Sequence, residues 1–228
     1  MSKDNLFLKD DFEGDINREI WGIDRIPKMI ADHSWTISSD YAQNGKTSLK
    51  ITCNHGDIVI TGEGQKATER AEIFEKKELW LSHHTNVWYS FSFLIPNDFV
   101  ISDNRLVLAQ CKQAENLYSP FLSLRYINGN FEVKLCSLNE QKRHKLKNIN
   151  RGSWNNVLLN YELAKNQIGQ VKVWLNETNI VDYNGELGFP DTPDAIHFSM
   201  GIYRDELNIS QTIYFDRFRR GSSRESVL

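Results

Sequence analysis

An all-β sandwich of two antiparallel sheets is the fold class this sequence predicts, on three observations. Runs rich in β-branched and aromatic residues recur along the whole chain, separated by turn-forming Gly, Asn, Asp and Pro. No long segment keeps the 3.6-residue apolar period of an amphipathic helix. About a dozen such runs exceed what one twisted open sheet holds comfortably, and without crossover helices they must pack as two sheets.

The expected strands follow in order. Leu6–Phe12 comes first, then Trp35–Ser38 and Ser48–Thr52, separated by a turn at Asn44-Gly45. Arg70–Phe74 alternates, with Ala71 and Ile73 pointing to the core, and Val87–Ile95 and Arg105–Lys112 follow it. Phe121–Ile127 and Asn130–Ser137 form a hairpin, because Asn128-Gly129 between them accepts the positive φ of a tight turn. Trp154–Tyr161, a polar connection, the alternating Gly169–Leu175 and Thr178–Tyr183 come next, and this stretch resembles the back half of a concanavalin-like β-jelly-roll. Ala195–Tyr203 turns Phe198, Met200 and Ile202 inward. Gln211–Arg217 is last, and pairing it beside Leu6–Phe12 closes the sandwich where the termini meet.

The 228 residues, 40% hydrophobic and 11% aromatic, supply a sizeable core, and one domain spanning 1–228 accommodates them. A net charge of -3 and a pI near 6.1 exclude a general nucleic-acid or membrane-surface binder, which would carry a basic face. Cys53, Cys111 and Cys136 show no metal or redox spacing and read as buried thiols. No stretch has the ~18 consecutive apolar residues of a membrane span. The start, Met-Ser-Lys-Asp-Asn-Leu-Phe, has no apolar leader, so the protein is expected to be intracellular, or secreted or periplasmic if a leader has been removed. It is expected to be a monomer.

Three strands carry polar residues at two-residue spacing on one face. Arg70 shares a face with Glu72, and Gln110 with Lys112. His197, Ser199, Gly201 and Tyr203 share a third, where Gly201 would let a ligand approach the backbone. For any one strand a solvated polar face is the simpler explanation. If the three faces coincide, a concave groove holds cations, an amide, a phenol and a carboxylate able to orient Arg70, a set suited to an anionic sugar. Arg125 and Lys134 on neighbouring strands would extend it, and His55 and Arg204 are further candidate substrate contacts.

The order Arg-x-Glu, Gln-x-basic, Phe-x-x-Gly-Ile-Tyr-Arg, from Asp11-Phe12-Glu13-Gly14 to Phe215-Asp216, resembles the jelly-roll polysaccharide lyases. Within them it resembles the heparin lyase I family, with glucuronan and alginate lyases as relatives. The resemblance implies β-elimination on a uronate polymer, with Arg70 and Gln110 neutralising the substrate carboxylate and Tyr203 protonating the leaving oxygen. It also implies a His base two residues after the Gln, where this chain has Lys112. Lys112 could act as the base, or neutralise charge while Tyr203 makes both transfers. A His from elsewhere, His55, His83, His84 or His197, is a third option, and His197 is the best placed by strand parity. No cofactor is needed for this chemistry, but Glu13, Gly45 and Asp216 could bind a structural calcium through hard oxygen ligands.

Two other functions fit the same fold. Hydrolysis would need paired carboxylates flanking the scissile bond, and no Glu-x-Asp-x-x-Glu run is present. A non-catalytic lectin-like module binding acidic carbohydrate is the stronger rival, although its usual neutral-amide and aromatic platform is absent. Substrate length should depend on the loops Gly62–Thr68 and Glu115–Pro120.

Overall fold

A computed structural model describes residues 7–22, 34–59, 68–114, 118–146 and 149–228. Their strands are β1 (Leu8–Asp10), β2 (Trp35–Ser38), β3 (Ser48–Cys53), β4 (Ile58–Val59), β5 (Thr68–Phe74), β6 (Val87–Leu94), β7 (Leu106–Gln113) and β8 (Leu122–Ile127). They continue with β9 (Asn130–Cys136), β10 (Gln141–Leu146), β11 (Trp154–Leu163), β12 (Ile168–Leu175), β13 (Thr178–Glu186), β14 (Ile196–Arg204) and β15 (Gln211–Gly221). One sheet has the order β13-β12-β11-β6-β15-β3-β2, with β1 also on β15; the other runs β10-β9-β8-β7-β14-β5-β4. Every pairing between these strands is antiparallel, and the fold is a jelly-roll sandwich.

The alternation read from the sequence sets the core. Phe91 and Phe93 of β6, Phe215 of β15, Phe131 of β9 and Phe198 of β14 all turn inward and are almost fully buried. Tyr89 and Phe198 stack across the two sheets with ring centroids 4.7 Å apart. Cys53, Cys111 and Cys136 are buried free thiols, and burial pushes the Cys53 thiol up to about 12. The Asn128-Gly129 hairpin has φ values of 49° and 78°, and β1 pairs with β15 through Leu8↔Arg220.

Differences from the sequence reading are local. Asp10 ends β1 early, because its carboxylate accepts the backbone N–H groups of Phe12 and Asn17 and the indole N–H of Trp21. Strand β4 has only two residues, and β10, Gln-Lys-Arg-His-Lys-Leu, carries too few apolar side chains for alternation to reveal it. The loops Gly62–Thr68 and Glu115–Pro120 lie largely outside the described residues, as does Leu6 of the first expected strand.

Candidate active site

The outer face of the seven-stranded sheet collects the polar residues, with β14 as its axis. On one side of β14, Tyr203 pairs with Arg70 and Gly201 with Glu72, both on β5. On the other, Ser199 pairs with Gln110 and His197 with Lys112, both on β7. Pairing then carries the Gln110 row outward through Ser123 to Lys134, and the Tyr203 row through Val107 and Arg125 to Glu132.

A bulge in β7 makes these rows possible. The register of β7 slips against both neighbours near Leu108, so that Leu106 and Leu108 and then Ala109 and Cys111 all face the core. Side chains before the slip therefore change face. Arg105, just ahead of β7, reaches the outer face and lies 4.5 Å from the centroid of the Tyr203 ring, with Asp205 at 2.9 Å as its ion-pair partner. Arg70 lies 3.9 Å from the same ring and is held by an Nε–H bond of 3.2 Å to Thr68 Oγ1. Two guanidiniums thus stand against one phenol.

Glu72 is buried at the centre. Its Oε1 accepts hydrogen bonds from Gln110 Nε2 at 2.7 Å and Ser199 Oγ at 3.2 Å, while Oε2 is buried without a hydrogen-bond partner. Burial raises the pKa of this carboxyl, against the fields of Arg70 and Lys112. The Lys112 amine is lowered, first by burial and then by the Arg70 charge, with Glu72 opposing. Arg125 donates from Nε to Ser123 Oγ at 2.9 Å, and Lys134, 7% exposed, has no carboxylate within ion-pair distance among the described residues.

The polysaccharide lyase family model matches residues 12–219. The chain belongs to the polysaccharide lyases. No curated protein matches the sequence significantly. Among solved structures it resembles an endo-β-1,4-glucuronan lyase from the fungus Trichoderma reesei, at 14% identity and a TM-score of 0.68 over 97% of each chain. It also resembles AlgAT5, an alginate lyase of polysaccharide lyase family 7, at 14% identity and a TM-score of 0.58 over 85% of this chain and 84% of that one. Alginate lyase Aly36B, solved with an alginate trisaccharide, has 10% identity and a TM-score of 0.59 over 96% and 99%.

In this lyase Arg70, Gln110, Lys112 and Tyr203 share one face, as parity requires, and several other assignments change. Arg204 follows Tyr203 and so points inward. It is 1% exposed, pairs with Glu69 at 2.7 Å and donates to Gln211 Oε1 and the Ile209 carbonyl, so it is a structural residue rather than a substrate contact. His55 lies 3.2 Å from Glu69, whose side chain leaves β5 on the face opposite Arg70, and so belongs to that structural cluster instead of the groove. Glu72 secures Gln110 rather than Arg70. Gly201 is required by the neighbouring strand: its φ is +145°, and a Cβ there would collide with the Ala71 carbonyl.

His197 is on the right face, paired across from Lys112 and six residues from Tyr203 on β14, but its ring packs on Trp80 and Phe74, while the longer Lys112 side chain lies in the fields of Arg70 and Glu72. His83 turns inward to Asp194 and Gln113. Arg105 is the residue that alternation misses, because the bulge reverses its face.

Glu13, in the bend after β1, and Asp216, on β15, meet the same loop. Glu13 Oε1 accepts the backbone N–H groups of Lys46 and Thr47, and Asp216 Oδ2 those of Gln43 and Asn44. Gly45 sits against the Glu13 carboxylate with a φ of +71°. No three His, Cys, Asp or Glu side chains converge among the described residues, so a cation here would also need carbonyl or water ligands.

Proposed function

We propose that this lyase cleaves a uronate-containing polysaccharide by β-elimination at the Arg70–Gln110–Lys112–Tyr203 cluster. The observation that carries the proposal is the Tyr203 phenol held against two guanidiniums, Arg70 and Arg105, beside an amide and an amine on one outer face. β-Elimination withdraws the proton next to the carboxylate, so negative charge builds on the carboxylate oxygens and then on the leaving oxygen. Arg70, Lys112 and the free N–H of Gln110 meet the first charge. Glu72 positions Gln110 for that task by accepting its other N–H.

Tyr203 passes the proton in this reading, taking it from carbon and delivering it to the glycosidic oxygen, and the two guanidiniums meet the charge formed on its oxygen. Lys112 acts as a cation. What supports this division is that the Lys112 amine lies in the fields of Arg70 and Glu72, whereas the ring of His197, its partner across the strands, is packed on Trp80 and Phe74. Arg125 and Lys134, further along the two rows, supply positive charge for neighbouring uronate units.

The test is incubation with glucuronan, alginate and heparin-like chains, read by the ultraviolet absorbance of the unsaturated product end. Turnover of at least one polymer is expected, and Tyr203→Phe should reduce it by about 10³-fold or more. Tyr203→Phe with full turnover would remove Tyr203 from proton transfer. Closer kinship with heparin lyase I belongs to the same proposal, supported by motif order and separated from the alternatives by which polymer is cleaved.

A structural calcium at Glu13, Gly45 and Asp216 is a separate proposal, supported by two carboxylates reaching one loop. Calcium added to chelator-treated protein should raise the melting temperature. An unchanged melting temperature would reject the calcium site.

A further inference from the structure

The opposite face of the sandwich carries a cavity of about 330 Å³. Since Tyr89, Phe91 and Phe93 of β6 turn inward, Ser90 and Ser92 turn out, and they join Asn156 of β11 and Trp174 of β12 in its lining. The chain after β15 forms one wall, fixed by a hydrogen bond from Ser90 Oγ to the Val227 carbonyl. None of these residues belongs to the catalytic rows, and the full thickness of the core lies between.

Two guanidiniums line this cavity. Trp88 and Trp174 stack with centroids 5.9 Å apart and planes at 17°, and the Arg224 guanidinium lies 5.5 Å from the Trp174 ring. A guanidinium attracted to an aromatic ring spends no hydrogen bond on it, so its N–H groups stay available for a carboxylate. Arg217 enters from β15, where a left-handed residue, φ 55°, sits in that strand's bulge. Neither guanidinium has a carboxylate within ion-pair distance among the described residues. Glu177 and the Asn156 amide, also in the lining, suit hydroxyl groups.

We infer that this cavity is a second saccharide site, separate from the cleavage site, that grips an acidic sugar of the polymer through Arg217 and Arg224. Paired cations beside hydroxyl-binding groups call for a ligand that carries both carboxylate and hydroxyls, and the volume suits about one or two sugar rings. The choice of a uronate chain rests on the proposed function; the demand for an anionic sugar does not.

The experiment is a titration of the full-length protein, labelled with ¹⁵N, with a glucuronate trisaccharide and with the neutral cellotriose, following the indole N–H signals of Trp88 and Trp174. Both signals should move with the uronate and stay still with the neutral sugar. Arg217→Ala/Arg224→Ala should weaken that response by about tenfold or more while turnover of short substrates is kept. Arg224→Gln, a single change at an exposed side chain, should give a smaller loss and guards against misfolding of the double variant. Indoles unmoved by glucuronate, mannuronate and guluronate trisaccharides, equal response to cellotriose, or full binding by the double variant would each overturn the inference. Indole shifts in a protein that cleaves no polymer would keep this site and reject the catalytic proposal; cleavage with silent indoles would do the reverse.

Discussion

Replacing Lys112 by arginine separates its two chemical roles more cleanly than deleting it. Arginine keeps the positive charge but cannot give up a proton near neutral pH. A cation about 5 Å from developing carboxylate charge, at an effective dielectric near 20, contributes about 3 kcal/mol, or about 10²-fold in rate. Lys112→Ala should therefore lower kcat/KM by about 10²-fold, and Lys112→Arg should recover it to within about tenfold. The pH profile carries the sign. The Lys112 amine is lowered from its ordinary 10.5 by burial and by Arg70, so a charge-neutralising role predicts that activity falls as pH rises through that lowered value. Lys112→Arg should then extend activity to higher pH. A Lys112 base predicts the opposite, with activity rising as the amine loses its proton and Lys112→Arg as inactive as a base deletion. Steady-state rates from product absorbance across pH decide it, and loss of more than about 10³-fold in Lys112→Arg would refute the division of labour proposed for Lys112 and Tyr203.

Two further outcomes follow from buried groups. Arg204→Met strands the fully buried Glu69 carboxylate and should cost about 3–5 kcal/mol, lowering the melting temperature by roughly 6–20 °C with KM unchanged in the cold; a raised KM with intact stability would return Arg204 to the substrate. Because burial raises the Glu72 pKa, there is a pH window above 4.5 in which the folded form holds a proton that the unfolded chain has released, so its contribution is intact below about 4.5 and lost as pH rises through the raised folded value. Glu72→Gln should consequently match the parent near pH 4 and exceed its stability near neutrality in denaturant titrations, and a variant less stable at both would refute this reading.

Alternation was enough to assign most strands, because a half-buried β-strand must put apolar side chains on every second position. It placed Ala71, Ile73, Phe198, Met200 and Ile202 inward and Arg70, Gln110, Lys112 and Tyr203 outward, as the structure has them. It failed at β10, whose charged sequence hides its period, and at Arg105, whose face is set by a bulge. Arg204 is the instructive case. Its motif position suggested a sugar contact, but parity from Tyr203 already turned it inward, where Glu69 of β5, Gln211 Oε1 and the Ile209 carbonyl together make a buried guanidinium tolerable.

The sequence by itself determined the sandwich, the hairpin at Asn128-Gly129, the buried thiols and the outward set of polar residues, since each depends on the local rules of side-chain alternation and turn geometry. The tertiary structure decided which of those residues act together. Cross-strand register put Arg70 and Arg105 against Tyr203, gave Glu72 to Gln110, and set the His197 ring against Trp80 and Phe74. Register and bulges are properties of paired strands, fixed by neighbours distant in the chain, and no single strand's pattern contains them.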